Sequence, residues 1–142
     1  MNKPINIGKE VNTFINRINR RVSNIVAHYG ITGPQAHILN FVFDTSKEAE
    51  VLQKDIEKEF DIRRSTTTNA LQIMEKKGLI IRASVSTDAR LKKVILTEKG
   101  LEIQKEVSKV IFQSEKALRE ALTEEEFHLL IGIIFKLSKI NI

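Results

Sequence analysis

Apolar residues recur along this chain at helical spacing, interrupted once by strict alternation. Val11, Phe14, Ile15, Ile18, Val22, Ile25 and Val26 fall at three- and four-residue steps, which predicts an amphipathic helix over about 5–28. Gly30 closes it, and Gly33-Pro34 opens a second helix through about Phe43, with Ala36, Ile38, Leu39, Val42 and Phe43 on its core side. The polar stretch Asp44–Glu50 reads as a turn, and Val51-Leu52 as a very short strand able to pair with a later hairpin. Leu52, Ile56 and Phe60 mark a third helix over 53–60. After the connection Asp61-Ile62, a fourth helix over 64–77 turns Ala70, Leu71 and Met74 inward, and Gly78 ends it.

The period then changes to two. Leu79, Ile81, Ala83 and Val85 alternate with Ile80, Arg82 and Ser84, a tip follows at 86–90, and the return strand carries Val94 and Leu96 inward. This is a two-stranded wing over 79–97. Thr97 is placed to cap a fifth helix with Glu98 in its first turn. Ile103, Val107, Val110, Ile111, Leu118, Ala121 and Leu122 form its stripe. Thr123-Glu124-Glu125-Glu126 has the form of a capping box for a sixth helix, so that terminal helices occupy about 98–141. In the sixth, Phe127, Leu130, Ile131, Ile134 and Leu137 cover one face, and Leu129, Ile133, Phe135 and Ile140 most of the rest. A terminal helix apolar nearly all round implies a partner, and a second copy of the chain is the simplest. The expected fold is mainly α (α+β): about six helices and a two-stranded wing in one domain spanning 1–142, its reading unit over about 34–97.

Charge sharpens this picture. The whole chain carries +5, but the stretch Ile62–Thr97 holds eight basic residues against Glu75 and Asp88, so the excess is local. On the fourth helix Arg64, Ser65, Thr66, Thr68 and Asn69 lead, Arg63 precedes them and Gln72 follows. Arg suits guanine or phosphate, Asn pairs bidentately with adenine, and short hydroxyls allow close approach to the duplex. Four consecutive hydroxyl residues, Ser65–Thr68, exceed what capping alone requires. In the wing, Asp88 can fix Arg90 by charge-assisted hydrogen bonding, with Lys92 and Lys93 behind; a fixed Arg suits a narrow minor groove. An exposed turn with an incidental ion pair is the plainer alternative for the wing taken alone.

With no cysteine in the chain, disulfides and thiol chemistry are excluded. His28, His37 and His128 lack ligand spacing, so no metal and no cofactor is expected. Neither a phosphate loop nor a nucleophile elbow is present, so the chain does not read as an enzyme. The N-terminal stretch lacks a secretory apolar run, and Leu129–Phe135 is too short to span a bilayer, so a cytoplasmic location without membrane association is expected.

The run from Phe60 to Gly100 resembles the MarR family of winged helix-turn-helix transcriptional regulators. Arg64-Ser65-Thr66 opens the reading helix and Met74-Glu75-Lys76-Lys77-Gly78-Leu79-Ile80 closes it. Asp88-Ala89-Arg90 is similar to the D-x-R wing motif, and Leu96-Thr97-Glu98-Lys99-Gly100 to the LTxxG ending. The resemblance implies a homodimer joined through its first, fifth and sixth helices, with Val11, Phe14, Ile18, Phe127, Leu130, Ile134 and Leu137 as dimerisation residues. It implies a repressor of a pseudo-palindromic double-stranded DNA operator, reading the major groove with helix 64–77 and the minor groove with Arg90. It further implies release by a small-molecule effector, whose site the sequence leaves unknown. Departures from the family pattern are Arg63, Glu57, Thr67 and Asn69, where a helix cap, a small residue, an apolar residue and an Arg are frequent. A second reading is a winged-helix module that binds protein and never DNA; the local excess of six positive charges argues against it.

Overall fold

The computed structural model describes residues 2–142. Its elements are α1 (Ile7–Val26), a single 3-10 turn (Ala27–Tyr29), α2 (Gly33–Ser46), α3 (Gln53–Phe60), α4 (Arg64–Lys76), β1 (Ile80–Val85), β2 (Asp88–Leu96), α5 (Glu98–Glu120) and α6 (Glu124–Ser138). The order and type of elements are those expected from the hydrophobic pattern. One compact unit ends at Lys109 and a second runs Val110–Ile142, the boundary falling within α5.

Capping chemistry sets most helix ends. Asn6 accepts from the Lys9 amide and starts α1 two residues later than the apolar stripe suggests. Thr32 and Gln35 form a reciprocal capping box on α2, with Pro34 in its first turn. That helix continues to Ser46 rather than stopping near Phe43, so part of the supposed polar turn is helical. Its last turn is polar because it faces solvent, which periodicity cannot distinguish from a loop. Thr123 and Glu126 close the capping box of α6, which ends at Ser138. Asp61 takes a left-handed conformation (φ 49°) and ends α3, which makes the turn into α4 tight; Asp tolerates this region better than most side chains.

The first unit contains the buried core. Val26, Ala36, Leu39, Val42, Ile56, Leu71, Met74, Leu79 and Val107 are completely inaccessible, contributed by all five helices and the entry to the wing. β1 and β2 pair antiparallel, and Val51-Leu52 adds a bridge: Leu52 lies opposite Lys93 and the Val94 amide donates to the Val51 carbonyl at 2.8 Å. The inward set of the wing is Ile80 and Val94, with Arg82 half-buried; Ile81 and Ile95 pair on the exposed side. Both sets of alternating residues contain isoleucine, so the alternation fixes two faces without saying which is inside.

Thr97 locks the wing to α5. Its hydroxyl accepts from the Gly100 amide at 3.0 Å and donates to the Gly78 carbonyl at 2.6 Å. Gly78 is itself left-handed (φ 76°), and its amide returns to the Glu75 carbonyl to finish α4. A side chain at Gly100 would meet the Leu79 carbonyl oxygen 2.1 Å away, so the glycine of the LTxxG ending is a packing requirement.

The second unit buries little of its apolar surface. On α6, Leu129, Leu130, Ile133, Ile134, Phe135 and Leu137 are all exposed, Phe135 by 63%. Phe127 is half-buried, with the Arg119 guanidinium 3.6 Å above its ring. On α1, Val11 and Phe14 are exposed and Ile18 is half-buried. None of the described helices is long and apolar enough to cross a membrane.

Candidate nucleic-acid interface

α4 is positioned by three inward residues, Thr67, Leu71 and Met74, each fully buried. Thr67 uses its hydroxyl on the Arg63 carbonyl at 3.0 Å, so this member of the hydroxyl run is structural. Thr68 is half-buried and accepts from Gln53 Nε2 at 2.8 Å, which ties α4 to α3. Ser65, Thr66, Asn69 and Gln72 remain on the exposed face with Arg64. Arg63 occupies the N-cap position in an extended conformation without a capping side chain; the helix start expected at Arg64 is correct, and its end at Lys76 falls one residue early.

The wing is braced to the same helix. Glu75 accepts from Arg82 Nη2 at 3.2 Å and from the Arg82 amide at 3.0 Å, and these bonds, the side-chain one first, lower its pKa from the ordinary 4.5. Arg82 Nε is buried without a hydrogen-bond partner. Further out, a two-residue turn at Ser86-Thr87 connects the strands, so Asp88 and Arg90 belong to β2 rather than to a wider tip. The register jumps there: Ser84 faces Lys92 but Val85 faces Asp88, so Arg90 lies in the irregular stretch between. Asp88 accepts from Arg90 through Nε and Nη2, each at 3.2 Å, and from the Arg90 amide at 3.0 Å. These bonds, the side-chain ones first, lower the pKa of Asp88 below its ordinary 3.8. The Arg90 side chain is 90% exposed all the same, so a fixed cation projects into solvent. An exposed pair of this kind adds little to stability, which makes orientation its main consequence.

Between α3, α4 and the wing lies a groove of about 310 Å³. Arg64, Thr68, Arg90 and Lys92 line it together with Lys54, Arg82, Gln53 and Glu57, five cations against one carboxylate. Lys92 is held toward Ser84 Oγ at 2.8 Å. A larger groove of about 500 Å³, beside the 46–51 segment, sets Lys47 and Lys93 against Glu48 and Glu50 and has no net sign. Sequence reasoning did not include Lys54, Gln53, Glu57 or Arg82 in the site. The i, i+1, i+4 spacing of 53, 54 and 57 beside buried Ile56 was the available signal. Nowhere among the described residues do three or more His, Cys, Asp or Glu gather as a metal site; His37 meets Asn19 Oδ1 at 3.2 Å, and His128 lies 3.6 Å from Glu124.

A left-handed Asp turn between two helices, an exposed polar reading face and a wing carrying a fixed arginine define a winged helix-turn-helix protein. Comparison with known proteins agrees. A model described as MarR family matches residues 29–91. The structure is similar to the transcription regulator MarR from Oenococcus oeni PSU-1, at 29% identity and a TM-score of 0.81, over 95% of this chain and 100% of that one. It shares its fold with S. aureus MepR in a MepR–DNA complex, at 23% identity and TM-score 0.84, covering 96% of this chain and 100% of that one. It also shares it with a MarR transcriptional regulator from Methanosarcina mazei Go1, at 22% identity and TM-score 0.74, covering 93% and 95%. The chain is thus similar to MarR-family transcription regulators across its central reading unit, and it shares their fold over nearly its whole length.

Proposed function

We propose that this chain is a homodimeric, sequence-specific DNA-binding repressor, with one domain over 1–142 whose terminal helices join two copies. α4 enters the major groove, presenting Arg64, Ser65, Thr66, Asn69 and Gln72, with Arg63 and Thr68 at its margins. The wing lays Arg90, fixed by Asp88, into the adjacent minor groove, and Lys92 faces phosphate. The observation that carries this reading is the five-cation groove shared by reading helix and wing. The named relative in a DNA complex supports it through a common fold. Dimerisation is supported by the uncovered apolar residues of α6 and α1, including Val11, Phe14, Leu130, Ile134 and Leu137. Relief by a small-molecule effector rests on the family resemblance, as does a cytoplasmic location.

Selection of duplexes from a random pool tests the reading. Wild type is expected to enrich a pseudo-palindrome with half-site centres about one helical turn apart. Asn69→Ala removes a bidentate acceptor and donor for adenine and should relax preference at one base pair per half-site, a discrimination worth roughly 1–3 kcal/mol. Affinity for mixed-sequence DNA should be unchanged. An Asn69→Ala pool identical to the wild-type pool would remove Asn69 from the contact set, and a wild-type pool without enrichment would contradict sequence-specific binding.

A further inference from the structure

The carboxylates of the basic stretch are committed to arginines: Glu75 to Arg82 and Asp88 to Arg90. Glu57 differs. It is half-buried on α3, is the one acid lining the groove, and shares that lining with Lys54, Arg64, Arg82, Arg90 and Lys92. Among the described residues its carboxylate forms no ion pair, although five cations line the same groove. A groove meant only to attract polyanion has no use for an uncommitted negative charge at this position.

We propose that Glu57 is a specificity-determining residue that suppresses loose DNA binding. This inference rests on the DNA-binding reading above and concerns the same groove. Non-specific complexes are held almost wholly by phosphate contacts. A phosphate entering the groove out of register meets the Glu57 carboxylate and is repelled at short range, where salt screens it least. In the operator register the carboxylate faces a base-edge amine, for which cytosine N4 is the best-matched donor to an acid. The residue thus combines repulsion of the wrong complex with acceptance of the right one, the usual composition of selectivity.

The test measures Kd by fluorescence anisotropy at several salt concentrations, using two fluorescent duplexes. One is a duplex selected from a random pool by the wild-type protein, the other a mixed-sequence duplex of equal length. Glu57→Gln keeps the shape and removes the charge. It should tighten binding to the mixed duplex by about tenfold, on the order expected for loss of one short-range like-charge contact per chain, and change binding to the selected duplex by less than threefold. Glu59→Gln, at an exposed position of the same helix outside the groove lining, should leave both within twofold. Equal tightening on both duplexes, no tightening on either, or the same effect from Glu59→Gln would overturn the role of Glu57 and leave DNA binding standing. Wild-type protein with no affinity for either duplex in dilute buffer would instead overturn the DNA-binding reading itself.

Discussion

Gly100→Ala is expected to destabilise the protein by about 3 kcal/mol, at the upper end of what forced overpacking costs. The new methyl would stand 2.1 Å from the Leu79 carbonyl oxygen, with the Leu79 carbonyl carbon at 3.1 Å, so backbone must move to admit it. That backbone is committed. The Leu79 carbonyl accepts from the Thr97 amide at 3.0 Å, while the Thr97 hydroxyl bridges the Gly100 amide and the Gly78 carbonyl. Alanine's better helix propensity returns at most about 1 kcal/mol. Against a total stability of roughly 5–15 kcal/mol the net loss is large. It should appear as a fall in Tm of about 6–12 °C. Gly8→Ala is the control, since its methyl would come no nearer than 3.4 Å to Asn6 Oδ1. A Gly100→Ala melt within two or so degrees of wild type would show that the junction between wing and α5 is looser than described.

Arg90→Ala is expected to weaken DNA binding by about thirtyfold to a thousandfold at moderate salt, with stability almost unchanged. The first part follows from the proposed dimer: with two wings per complex, two fixed guanidinium contacts worth roughly 1–2 kcal/mol each would be lost. The second follows from exposure, since an ion pair this open to water contributes little to folding. The slope of log K against log salt should fall by about two, one per wing. Asp88→Asn separates orientation from charge. It leaves the cation but removes the carboxylate that accepts three bonds from Arg90, and should give an intermediate loss with a nearly unchanged salt slope. An Arg90→Ala protein that binds as wild type does would remove the wing from the interface.

The sequence carried the elements well where capping chemistry accompanied periodicity. Thr123 with Glu126 marked a helix start that the structure reproduces, and Pro34 marked that of α2, whose Thr32–Gln35 box the sequence reading passed over. Where the only signal was polarity, as in the last turn of α2, helix and loop looked alike. Thr67 illustrates a different limit. In sequence it is one of four neighbouring hydroxyls, and only three-dimensional packing separates the buried one from the exposed Ser65 and Thr66. The wing motif Asp88-Ala89-Arg90 was legible because its two charged residues interact locally. The groove was not, because Lys54 and Glu57 on α3 reach it only once that helix packs beside α4. The exposed apolar face of α6 was visible in both, since a stripe wider than one core can cover is a property of the sequence itself.

In the proposed assembly two copies, joined through their apolar terminal helices, present two basic reading heads to one duplex. Sedimentation equilibrium, run on the protein alone and then with a selected duplex, tests it most directly. The prediction is a species of twice the 16.2 kDa chain mass without DNA, and two chains per duplex with it. A chain that sediments at 16.2 kDa and leaves the duplex unbound in dilute buffer would contradict the account.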